Sequence, residues 1–175
     1  RSVAEWYRGE GAEALLAYSV DLLYDLLHYA VHLLLNLAAE VGGMRLGDFE
    51  HYVSVSVDEE EAARAFVESL LRGGEPPGVL PLRFEVVVAN EVDLLKRVRW
   101  VEVAERLEEA RRVAQSDAAG SLWPLLEAPR CFHTPQVAEG EGRQAAVLRA
   151  AVEAASLILR RVVERLGHGV PQAGA

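Results

Sequence analysis

Asp25, His28 and His32 stand at steps of three and four inside an otherwise hydrocarbon stretch, "VDLLYDLLHYAVHLLLNLAAEVGG" at 20–43. That spacing puts one carboxylate and two imidazoles on adjacent turns of one helix face, as helical metal sites do. No cofactor is expected on the leading reading, and a divalent metal ion is the alternative for this face. It would need a further ligand from outside the helix, and Glu50, His51 and His133 are the candidates. A di-iron centre is disfavoured, since the chain has no second Glu-x-x-His.

Asp21 and Asn36 extend the polar positions into a strip roughly 80° wide. In the last apolar segment Arg149, Glu153, Ser156, Arg160 and Glu164 follow similar steps. Two unrelated helices with one polar width favour a common cause, a seam left open to water. Turning such a seam inward would expose the rest of each helix, and each buried Leu or Val side chain contributes about 1.5–3 kcal/mol. The strip is thus expected to face solvent. Its apolar remainder would need cover, which points to a homodimer or higher homo-oligomer. If the two helices lie antiparallel, Asp21 and Asp25 approach Arg160, Arg161 and Arg165, while His32 lies toward Arg149. The result would be exposed ion pairs, or a cleft pairing phosphate-binding arginines with proton-transferring histidines.

The elements that must position these residues follow from periodicity and stop signals. Ser2 and Glu5 form a capping box for a short helix ending near Gly9. A long helix runs from about 12 to 41 and stops at Gly42-Gly43. Alternation in "HYVSVSVD" predicts a strand over 51–57, and "LRFEVVVAN" predicts a partner over 82–88. Asp58 caps a helix over 59–72, and "GGEPPG" at 73–78 is a loop. Further helices are expected over 90–115 and 144–166, with a turn at Trp123-Pro124, an aperiodic loop over 127–142 and a frayed tail over 168–175. The expected fold is mainly α: a single domain over 1–175, an up-down bundle of about four substantial helices with a small two-stranded β element.

Near the end of the last helix, "RVVERLGH" sets Arg161 and His168 six residues apart. This resembles the Arg-x(4-6)-His signature of HEPN-type helical proteins, some of which are ribonucleases. The resemblance covers eight residues and implies an RNA-processing activity resting on Arg161 and His168. On charge alone, Arg161 and Arg165 also suit the negative C-terminal end of a helix.

Composition narrows the alternatives. A formal net charge of −9 over 175 residues disfavours non-specific nucleic-acid binding. One cysteine, Cys131, excludes an intramolecular disulfide framework and a multi-thiolate zinc cluster. With His133 it reads as a loop anchor, because no orienting group for a Cys–His dyad is visible nearby. The opening residues lack the features of a signal peptide, and the longest uncharged run, 26–39, is too short for a membrane span. A cytoplasmic location is expected. Seventeen arginines against one lysine fit a GC-rich source, and the scarcity of Asn, Cys and Met fits a thermophilic one.

The leading expectation is a self-associating helical-bundle protein, acting as a binding module without catalysis of its own. The alternatives are a metal-binding or hydrolytic protein built on Asp25, His28 and His32, and an RNA-processing protein using Arg161 and His168. Composition and spacing leave open whether any reaction is catalysed.

Overall fold

The hydrocarbon stretch folds into α1, Ser19–Gly42. Leu23, Leu26, Leu27, Val31, Leu33, Leu35 and Leu37 are all buried, so apolar contact is not confined to one stripe of the cylinder. The helix closes with a Schellman turn. The Met44 amide donates to the Ala39 carbonyl at 2.9 Å, and Gly43 takes a left-handed φ of 63° that a side chain would resist. The computed structural model describes residues 19–57, 60–72, 82–89, 94–128, 131 and 141–166. The expected helix over 2–9, the start of the long helix, the 73–78 loop, His133, His168 and the tail lie outside the described residues.

A 3-10 turn at Leu46–Asp48 leads into β1, Glu50–Val57. Strand β2, Leu82–Ala89, pairs with it antiparallel, setting His51 opposite Val88 and Val53 opposite Val86. Period-two alternation sends Val53 into the core and leaves Tyr52 65% exposed. His51 shares the inner face with Val53. Between the strands comes α2, Glu60–Arg72, which buries Ala63, Phe66, Val67 and Leu70 at helical spacing. The paired strands are therefore not a hairpin.

The single helix expected over 90–115 is two. A short α3, Leu94–Arg97, ends where Val98 turns into the core, and Arg99 is extended (φ −80°, ψ 95°) before α4, Trp100–Ala114. Val98 and Val103 are apolar on either side of the break, so the hydrophobic period reads through it. The turn expected at Trp123-Pro124 is an eight-residue 3-10 segment, Ala119–Leu126, anchored by buried Leu122 and Leu126. The last helix is α5, Glu141–Leu166.

The fold is mainly α with a small two-stranded β element. α1 is its centre, packed by α2, α4, α5, β1 and the 3-10 segment. These elements of the same chain cover the apolar sides of α1. No described helix is long and apolar enough to cross a membrane.

Two of the polar positions of α5, Glu153 and Ser156, meet Arg111 of α4. Arg111 donates through Nη2 to Glu153 at 3.0 Å and to Ser156 Oγ at 3.1 Å, and its Nε lies 3.0 Å from the second Glu153 oxygen. Arg160 and Arg161 are exposed, whereas Asp25 is buried, so the expected pairing of Asp25 with these arginines does not form. Both partners of the Arg111–Glu153 bridge are 28% exposed. One charge-assisted hydrogen bond to Glu153, with the Ser156 contact beside it, makes Arg111→Ala cost about 1–2 kcal/mol. The solvent-exposed Arg106–Glu40 pair, at 2.9 Å, should be worth less than about 0.5 kcal/mol. Urea unfolding of Arg111→Ala and Arg106→Ala tests that ranking, and equal losses would contradict it.

Candidate metal centre

Contrary to the expected open seam, the α1 strip is enclosed. Asp25, His28 and His32 are 4%, 7% and 3% exposed. The cause is local: β1 and the 3-10 segment both lie against α1, and Asn36 and His32 bond to the 3-10 segment and the residue following it. Asn36 itself is part-buried; the Asp21 side chain lies outside what the structure describes.

Inside this enclosure four side chains converge. The Nε2 atoms of His32 and His51 are 2.8 Å apart, and those of His28 and His51 are 3.2 Å apart. Cys131 Sγ lies 3.3 Å from His28 Nε2. The donor atoms of all four residues fall within 4.8 Å of one another. His28 and His32 come from successive turns of α1 and His51 from the inner face of β1. Cys131 lies in the chain beyond the 3-10 segment, its amide donating to the Ala128 carbonyl at 3.2 Å.

The His32 ring is fixed by chemistry. Its Nδ1 lies 2.6 Å from the Leu126 carbonyl oxygen. A carbonyl can only accept, so Nδ1 carries the proton, and the Nε2 of the neutral ring presents a lone pair to the cluster. At His51, Nε2 lies within hydrogen-bonding distance of two other Nε2 atoms, and one N–H can serve only one of them. A central cation would satisfy the lone pairs together. A ring N–H given to a backbone carbonyl is also the outer-shell support typical of ligating histidines.

The dimensions fit a small transition-metal ion. With Zn–N of about 2.0–2.1 Å and Zn–S of about 2.3 Å, tetrahedral ligand atoms lie about 3.3–3.6 Å apart. The observed 2.8, 3.2 and 3.3 Å would need to open by up to about half an ångström, and the wider pairs, up to 4.8 Å apart, would need to close. Three imidazoles and a thiol are nitrogen and sulfur donors, suited to zinc and its neighbours rather than to magnesium or calcium.

Aromatic rings stand around the cluster. Tyr24 meets His28 edge-on at 5.6 Å, and Tyr29 meets His32 at 6.5 Å and Trp123 at 5.6 Å. Burial, with Asp25 as the next contributor, pushes the Tyr29 hydroxyl well above its ordinary pKa. Tyr24 is raised by burial and then by Cys131. Both phenols therefore stay protonated at neutral pH. Desolvation lowers the pKa of His51, favouring the neutral ring that a metal requires.

Of the residues singled out in the sequence, His28 and His32 belong to the cluster, and His51 joins it from outside the helix. Asp25 is not among the four donors. Glu50 is exposed, as its place on the outer face of β1 dictates. Cys131 was the one missed as a ligand: it lies 103 positions from His28, beyond the reach of any local pattern. Arg161 is exposed near the end of α5 and is not part of this cluster. Comparison with known proteins adds no assignment, for no family model, curated protein or solved structure matches the chain.

Proposed function

We propose that the protein binds one divalent transition-metal ion, zinc in the first instance, through His28, His32, His51 and Cys131. The ion serves to tie α1, β1 and the chain beyond the 3-10 segment together. The observation that carries this reading is the convergence of three imidazole nitrogens and one thiol within 4.8 Å, with His32 already turned by Leu126 to offer its Nε2 lone pair. Four protein ligands complete a tetrahedron, which is the form of structural zinc sites; hydrolytic sites keep a position for water. The role is thus that of a metal-tied helical domain without catalysis of its own. A thiolate ligand must remain reduced, which suits a cytoplasmic setting.

Elemental analysis of the protein, loaded with zinc and then freed of excess by gel filtration, tests the assignment. One equivalent is expected in the native chain, with none above background in His28→Ala. Native protein that retains no zinc would refute the reading.

A further inference from the structure

Three consecutive backbone carbonyls, at Leu125, Leu126 and Glu127, are all held by α1. Asn36 Nδ2 lies 2.8 Å from the Leu125 oxygen and 3.1 Å from the Glu127 oxygen, and 3.0 Å from the His32 oxygen within its own helix. His32 Nδ1 takes the intervening Leu126 oxygen. Every acceptor around Nδ2 is a carbonyl, so the amide nitrogen, not its oxygen, must face them. Two side chains one helical turn apart therefore clamp the point where the 3-10 segment ends, four residues before Cys131.

We propose that Asn36 is a positioning residue for the metal centre: by clamping these carbonyls it sets Cys131 against the three imidazoles. This deepens the metal-binding reading and rests on it. His28, His32 and His51 are placed by a helix and a strand, whose own hydrogen bonds fix them. Cys131 belongs to neither. Among the described residues, the anchored Leu126, the Asn36–His32 clamp and the bond of the Cys131 amide to the Ala128 carbonyl locate its end of the chain. Asn36 thus decides between a closed site of three nitrogens and one sulfur and an open one of three nitrogens with a place for water.

The sharpest variant is Asn36→Asp, nearly the same shape but with an acceptor where carbonyl oxygens require a donor. Cobalt(II) is the probe, because its thiolate-to-metal charge-transfer band in the near ultraviolet reports Cys131 separately from the histidines. Native protein should show that band with the strong visible absorption of tetrahedral cobalt. In Asn36→Asp and Asn36→Ala the thiolate band should fall by more than about half while one equivalent of cobalt is still bound. Asn36→Gln, which keeps the donors, should recover part of it. An undiminished band in both Asp and Ala variants would overturn the proposal.

A metal-free arm separates this outcome from failure of the metal reading. In chelator, amide exchange at Glu127 and Cys131 should be about tenfold faster in Asn36→Asp than in native protein, as loss of the clamp implies. Unchanged exchange would defeat the positioning role even if cobalt binds. Faster exchange with no cobalt bound by the native chain would leave Asn36 as the clamp and defeat the metal centre. Far-ultraviolet circular dichroism confirms that each variant is folded, and Asn36→Ala carries the test if Asn36→Asp is not.

Discussion

Stripping the proposed zinc ion should lower the melting temperature by about 10 °C. An ion held at a thousandfold excess over its dissociation constant stabilises the folded state by about 4 kcal/mol. A chain of 175 residues shifts by about 2–4 °C for each kcal/mol. The effect should be this large because the four ligands come from three separate stretches, so the unfolded chain offers the ion only the weak pair at His28 and His32. Thermal scans with excess zinc and with chelator would measure it, and magnesium should give no shift because the donors are nitrogen and sulfur. Coincident melting curves with zinc and with chelator would exclude a stabilising role for the ion.

His32→Ala is expected to be the most damaging single change at the centre, costing about 3–5 kcal/mol even in chelator. Two losses combine. Removing a ring that is 3% exposed leaves a void of the kind that costs about 2–5 kcal/mol. The Leu126 carbonyl also loses its donor, a penalty of about 1–3 kcal/mol, partly shared with the first. His51→Ala should abolish zinc retention equally well, but its partly buried side chain should cost less than about 2 kcal/mol without metal. Chemical denaturation of both variants in chelator separates the roles. Equal destabilisation would show that His32 does no more than ligate.

The long helices, the strand pair and the two α1 ligands were legible from spacing alone, because helix and strand periods are local. Whether the α1 strip faced water was not. A polar stripe looks the same whether solvent or a strand lies over it, and the energetic case for an outward seam assumed that only the apolar side would find cover. Here β1 and the 3-10 segment cover the polar side as well, so His28 and His32 are enclosed without exposing Leu26 or Leu33. His51 could be named beforehand as a supplementary ligand, since its strand follows soon after α1. Cys131 could not, because its neighbours in sequence carry no metal-site spacing and its partners are brought to it by tertiary packing. The break at Val98–Arg99 was hidden for the converse reason: buried valines on both sides kept the helical rhythm intact.

The separation of Cys131 from His28 by 103 positions also governs when such a centre can come into being. A ribosome must have added 103 residues beyond His28 before the last donor exists. His51 gains its place only when β1 meets a strand that lies beyond an intervening helix. Closing so long a loop is slow in itself and is rewarded only at the end. An ion bound there would therefore not template the early stages of folding; it would be captured late, and its retention would certify a chain already assembled.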